Sequence, residues 1–382
     1  MIKERNPRYD YYALGLLGLF VALALFAGNT QAQLFTKWEQ VQTCSPSTSY
    51  WTRNGAESGQ FRDNDIQSLA KDLGYKARVY DYADPVDNQL GLEQRAYLIR
   101  FQPKQRQTEG TFVYFHGGGG DRGFADNFGD PSDPKSTSAV ILYWLEKNHN
   151  VVLVEYPRGW MAPQWCDDCP WNTSDAAYAR EEPAARQSFE YSRLAIEYIA
   201  RRSKGDDLLI SGTSFGAAIV LYVTAYAPQG FAEANNIKAG LVGYGAALSS
   251  DLITDNTVPL LFLGGIDDNI VPADGGNFYF NNRGLLGDGV RSAYHKYVAA
   301  GGQASAVFSF GAATARGYQP IGHGYGLFLD HLEVMDLFRN YTVSFPLFEE
   351  NRLLTADSRG RPSGYEIFDG HNTPNPDIPN CN

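Results

Sequence analysis

The sequence predicts an α/β architecture, a mostly parallel central sheet with helices on both faces, and three observations carry that prediction. Short apolar runs of strand type alternate along the chain with longer helical patterns, the signature of strand-helix-strand units. Two of those strands run straight into glycine-rich turns, His116-Gly117-Gly118-Gly119-Gly120 and Gly212-Thr213-Ser214-Phe215-Gly216. And 382 residues with 43% hydrophobic side chains suffice to bury one large core.

In chain order, Lys3, Arg5 and Arg8 precede an apolar run over residues 13–27, which gives way to Gly28-Asn29-Thr30-Gln31-Ala32. This is the layout of a secretory signal over residues 1–32, cleaved after Ala32. The run is short for a membrane span, which takes about 20 residues. An uncleaved signal anchor, extended by Tyr11 and Tyr12, is the alternative. Either way residues 33–382 are expected outside the cytoplasm, secreted or periplasmic, as a single domain with an N-terminal extension and a C-terminal tail.

Residues 75–81 and 95–101 read as an early antiparallel pair, and 111–115 and 151–156 as strands. An insertion over about 158–182 follows. It carries Trp160, Trp165 and Trp171, half of the six tryptophans, around Cys166-Asp167-Asp168-Cys169. Beside a site it would form an aromatic wall or partial lid for an apolar or ring-bearing acyl group; otherwise its tryptophans simply pack on the domain. A helix over about 184–202, a strand ending at the serine turn, a helix to Ala227 and strands over 239–244, 258–265 and 305–310 complete the pattern. The tail beyond Tyr341, rich in Pro, Asn and Gly, is expected to wrap the surface.

The chemistry sits at the turns. In Leu208-Leu209-Ile210-Ser211-Gly212-Thr213-Ser214-Phe215-Gly216-Ala217-Ala218 a strand meets a small-residue helix at Gly-x-Ser-x-Gly. A serine there occupies a strained elbow that lifts its hydroxyl clear of the sheet, with room only for glycine two residues to either side. Four consecutive glycines cost entropy on ordering, and close backbone approach to an oxyanion is a reason for them. Asp267 and Asp268 follow the strand ending at Gly265, and His323 lies between Gly322 and Gly324 after the last strand. Serine, then acid, then histidine is one of the known triad orders.

On these residues the chain resembles the α/β-hydrolase superfamily, its esterases and lipases in particular, over roughly Tyr75 to Tyr341. The resemblance implies Ser214 as nucleophile and His323 as general base. It implies Asp268 as the acid, through the pattern Gly265 to Pro272, with Asp267 as the neighbouring alternative. The oxyanion donors would be the amides of Gly118 or Gly119 with that of Phe215. Catalysis would run through an acyl-enzyme without a metal or organic cofactor, and His116 would brace the oxyanion loop. Thr213 and Phe215 depart from the family's usual residues, Asp or Glu before the serine and Ala after it, and Gly120-Asp121 replaces its aromatic residue after the glycines.

The four cysteines, Cys44, Cys166, Cys169 and Cys381, all lie beyond the signal and suit an oxidising compartment. Of three possible pairings, Cys44–Cys381 with Cys166–Cys169 is favoured. Removing residues 1–32 changes the net charge from −11 to −12, which argues against nucleic acid or anionic membrane surfaces as partners. Asp121, Asp126, Asp130 and Asp133 read as a solvated loop, since Pro131 and Pro134 interrupt calcium-ligand spacing. Asn172 and Asn340 begin glycosylation sequons that matter only in a eukaryotic host. His149, His295, His331 and His371 read as surface or helix positions. The leading expectation is a hydrolase of small-molecule or polymeric esters, its oligomeric state unspecified. A serine peptidase or acyltransferase on the same fold is the alternative, and a binding protein with a dead site the third reading.

Overall fold

A computed structural model of the chain describes residues 75–87, 93–105, 107–117, 136–157, 174–203, 205–245, 251–266, 270–278, 285–309, 331–343, 354–356 and 362–368, with the short pieces 70, 247–248, 268, 312–314, 317–319 and 323. Among the described residues the main sheet has ten strands: β1 (Lys76–Asp81), β2 (Tyr97–Gln102), β3 (Gly110–Phe115), β4 (His149–Glu155), β5 (Leu208–Thr213), β6 (Ile237–Gly243), β7 (Leu260–Gly265), β8 (Ala304–Ser309), β9 (Leu354–Ala356) and β10 (Pro362–Phe368). Their spatial order is β1-β2-β4-β3-β5-β6-β7-β8-β10-β9. From β4 to β8 every neighbouring pair is parallel. The two edges are antiparallel, β1 on β2 and β2 on β4 at one side, β8 on β10 and β10 on β9 at the other. The sheet is thus mostly parallel, as the sequence predicts, with antiparallel strands at both edges.

The helices are α1 (Thr137–Glu146), α2 (Ser174–Ser203), α3 (Phe215–Val223), α4 (Phe231–Ala234), α5 (Val290–Ala299) and α6 (His331–Val343). Side chains alternate across a strand, so a strand covered on both faces reads as a continuous apolar run. In β4, Val152 and Val154 enter one core with Phe189 and Ile196 of α2, Val220 of α3 and Tyr294 of α5. Val151 and Leu153 enter the other core with Ile141 and Trp144 of α1 and Val334 and Phe338 of α6. Full burial of one such side chain is worth about 1.5–3 kcal/mol, and both layers are built from many of them.

Three expectations need correction. Helix α2 begins at Ser174, ten residues ahead of the expected start, so the C-terminal part of the expected insertion is helical. Pro183 lies inside that helix at an exposed position, where its missing N–H costs one hydrogen bond without breaking the element. The serine helix stops at Val223 rather than Ala227: Thr224 turns its hydroxyl back onto the Val220 carbonyl at 2.7 Å, a bond that competes with helix continuation. Part of the tail adds strands β10 and β9 to the sheet instead of merely covering it.

The elbow is set by backbone contact. Ser214 has φ 55° and ψ −120°, strained for a residue with a side chain, and joins β5 to α3 without a helical turn between them. A Cβ on Gly212 would lie 2.1 Å from the Gly216 carbonyl oxygen, and one on Gly216 would lie 2.1 Å from that of Phe115. Both contacts are with backbone, which cannot move aside as a side chain would. Gly216→Ala is therefore expected to destabilise the fold by about 3 kcal/mol or more, read by urea denaturation; a stability equal to that of the parent chain would show that the elbow can relax.

His149 also differs from expectation. It opens β4, is buried, meets Trp144 edge-on at 4.9 Å and has Nδ1 2.9 Å from the Lys147 carbonyl. Burial holds its pKa below the ordinary 6.5. As pH falls through 6.5 the unfolded chain then takes up the proton first, and stability is lost down to the folded-state pKa. His149→Gln should remove this increment, so that between about pH 7 and pH 5 the variant loses less stability than the parent chain.

Candidate active site

Six parallel strands place their C-terminal ends along one edge of the sheet, and the chemistry-bearing residues gather there. Ser214 follows β5, Asp268 lies beyond β7 and His323 beyond β8. His323 Nε2 lies 2.8 Å from Ser214 Oγ and its Nδ1 lies 2.7 Å from Asp268 Oδ2. A carboxylate only accepts, so Nδ1 carries the proton, and Nε2 is left to accept from the serine hydroxyl. Asp268 is itself fixed: its Oδ1 accepts the amides of Ile270 at 2.8 Å and Val271 at 2.9 Å, while Oδ2 faces the imidazole. That division of the carboxylate is local, a side chain bonding the backbone two and three residues on.

Ser214 is less open than an elbow serine was expected to be, with 9% of its surface exposed. Its cover includes Gly117, where a Cβ would meet the Ser214 Cβ at 3.3 Å. The Ser214 amide donates to the Gly243 carbonyl at 2.8 Å, which ties the elbow to β6. Phe215 opens helix α3; its ring is buried between Tyr156 and Phe189, so only its backbone belongs to the elbow.

Next to this line lies a second histidine, and this one is buried. His116 Nε2 is 3.0 Å from Glu155 Oε1 and its Nδ1 is 2.7 Å from the Gly117 carbonyl oxygen. Glu155 is fully buried and follows the apolar run Val151-Val152-Leu153-Val154 at the end of its strand. The Tyr156 ring stacks on the imidazole at 4.6 Å and its hydroxyl donates to the His116 carbonyl at 2.7 Å. Since a carbonyl only accepts, the Nδ1 proton of His116 is committed to Gly117, and a single proton lies on the line between Nε2 and the carboxylate. His116 therefore fixes the first peptide of the glycine run and has no nitrogen left for a substrate.

Beneath Ser214 is a set of hydroxyls. Thr213 Oγ1 lies 3.1 Å from the Tyr114 hydroxyl and also bonds the Tyr244 hydroxyl. Burial pushes both phenols up, so both stay neutral. The Tyr244 ring stands edge-on to His323, centroids 4.7 Å apart at 78°.

The structure thus brings together Ser214, His323 and Asp268, with Phe215 at the helix start. Gly118, Gly119, Asp267, Trp160, Trp165, Trp171, Cys44, Cys166, Cys169 and Cys381 lie outside the described residues. Sequence reasoning missed Glu155, Tyr156 and Tyr244. Glu155 carried a signal, a lone charge ending an apolar run. Among the described residues no group of three or more His, Cys, Asp or Glu is placed to hold a metal ion, and no helix is long and apolar enough to cross a membrane.

No protein-family model matches the chain, and no curated protein sequence matches it. Among solved structures it is similar to the acylaminoacyl peptidase of Pyrococcus horikoshii, at 15% identity and a TM-score of 0.41 over 70% of this chain. That match spans 41% of the peptidase chain, less than half of its length. It is similar to a thermophilic esterase of Thermogutta terrifontis solved with propionate bound, at 15% identity and a TM-score of 0.44, covering 72% of this chain and 97% of that one. An esterase of Pyrobaculum calidifontis is similar at 14% identity and a TM-score of 0.39, covering 70% and 85%.

Proposed function

We propose that the chain is an exported serine hydrolase that cleaves carboxylic esters through an acyl-enzyme on Ser214. The observation that carries this reading is the unbroken line from Ser214 Oγ to His323 to Asp268, with distances of 2.8 and 2.7 Å, at the functional edge of the sheet. Nucleophile, base and orienting acid each lie within hydrogen-bond reach of the next, and the proton positions follow from the partners.

In the proposed reaction Ser214 Oγ attacks the ester carbonyl carbon as its proton passes to His323 Nε2. Asp268 holds the Nδ1 proton and stabilises the imidazolium. The tetrahedral oxyanion is met by the amide of Phe215 together with that of Gly118 or Gly119, each such donor being worth about 10²–10³ in kcat. Collapse expels the alcohol, which takes the proton from Nε2; water then repeats the sequence and releases the acid. Two features support the oxyanion assignment: Phe215 begins a helix, whose first amides point away from it, and Gly117 packs directly on Ser214. The tryptophans of the insertion would line the acyl side, and no metal or organic cofactor takes part. Export rests on residues 1–32, and in an oxidising compartment Cys44 would pair with Cys381 and Cys166 with Cys169. Peptide mapping without reduction is expected to recover those pairs; Cys44 linked to Cys166 or Cys169 would replace them.

The test is a panel of p-nitrophenyl esters of increasing chain length beside peptide anilides. Esters should turn over and anilides should not; faster cleavage of anilides would replace the ester reading with a peptidase. Ser214→Ala should lower kcat by about 10⁶-fold and Asp268→Asn by about 10⁴-fold, both with the fold intact. Asp267→Asn should cost much less, and the opposite ranking would move the acid to Asp267.

A further inference from the structure

We infer that Tyr244 is a positioning residue for His323, setting the plane of the imidazole from beneath; the inference rests on the catalytic reading of Ser214, His323 and Asp268. Its starting point is an unusual backbone. Tyr244 has φ 39°, in the left-handed region that bulky side chains avoid. Such conformations persist only where the surroundings over-determine them, and here three constraints do so.

The first is β7, whose Leu263 carbonyl accepts the Tyr244 amide at 2.7 Å, so the residue is still paired as the strand ends. The second is the elbow. A Cβ on the next residue, Gly245, would lie 2.3 Å from the Ala217 Cβ and 2.6 Å from the Ser214 carbonyl oxygen. The chain leaving β6 therefore has to turn sharply at Tyr244 to pass over the start of α3. The third is the phenol, held by Thr213, whose own hydroxyl lies 3.1 Å from that of Tyr114. With its backbone pinned at one end and its hydroxyl at the other, the ring has one place to lie, and that place is against His323 at 4.7 Å.

The contact supplies what the two hydrogen bonds of His323 lack. Asp268 and Ser214 hold the imidazole at Nδ1 and Nε2, on opposite sides of the ring. Two such bonds leave the ring free to swing about the line joining them. An edge-on aromatic neighbour at this distance is a favourable geometry and removes that freedom. The phenol, neutral through burial, contributes shape and not a proton.

Tyr244→Phe keeps the ring and loses the hydroxyl; Tyr244→Asn loses the ring, and asparagine tolerates a left-handed φ. With p-nitrophenyl acetate as probe, Tyr244→Asn should lower kcat by about 10- to 100-fold with little change in KM, while Tyr244→Phe, which keeps the ring and two of its three constraints, should show a clearly smaller fall. The low-field proton resonance of His323 Nδ1–H should persist in the parent and in Tyr244→Phe and broaden by exchange in Tyr244→Asn, a readout independent of turnover. Near-UV circular dichroism checks that each variant is folded. A folded Tyr244→Asn with parental kcat and an unchanged resonance would overturn the inference, as would a fall in Tyr244→Phe equal to that in Tyr244→Asn. Should the parent chain show no Ser214-dependent hydrolysis, the proposed function fails on its own, and the resonance still decides whether Tyr244 orders the imidazole.

Discussion

Everything at the functional edge depends on how closely three backbones approach one another around Ser214. The end of β3, the turn from β5 into α3 and the chain leaving β6 meet with nothing larger than the Ala217 methyl between them, at Gly212, Gly216 and Gly245. Ordinary sheet-helix packing interposes side chains. Removing them here brings the start of α3 against the end of the sheet and forces Ser214 into φ 55°. The strain at Ser214 and at Tyr244 is thus a consequence of one packing decision, and the core residues on both faces hold that decision in place.

Two histidines then differ in what their partners permit. Each has one nitrogen facing a carboxylate, His116 toward Glu155 and His323 toward Asp268. Their other nitrogens differ. That of His116 faces a carbonyl, which can only accept, so the ring is committed to donating and serves as a brace. That of His323 faces a hydroxyl, which can give up its proton.

Much of this was legible in the sequence, for identifiable reasons. The central strands are covered on both faces, so they appear as uninterrupted apolar runs, and their ends were placed within a residue or two. Gly212 and Gly216 mark the elbow because its sterics admit nothing larger. Asp268 is favoured over Asp267 in the sequence only through the resemblance; the local reason, two amides bonding its Oδ1, exists only in the folded turn. What escaped was long-range. Strand β10 pairs Phe368 with Ala306, and nothing within the tail announces a partner so distant in sequence. The start of α2 was misplaced because the segment ahead of Pro183 reads as a loop. Tyr244 leaves no mark in the sequence beyond its two flanking glycines, since its contacts arise where chain segments cross.

Thr213 shows how such a crossing changes what a position requires. Esterases that this chain resembles commonly have an acid before the nucleophile; Thr213 is buried here between two phenols. A carboxylate in that place would need a cation or several donors to offset its desolvation. A hydroxyl can donate to one phenol oxygen and accept from the other, leaving the site neutral and satisfied. The three hydroxyls of Tyr114, Thr213 and Tyr244 therefore form one connected group next to Ser214, and the ring attached to the last of them reaches His323.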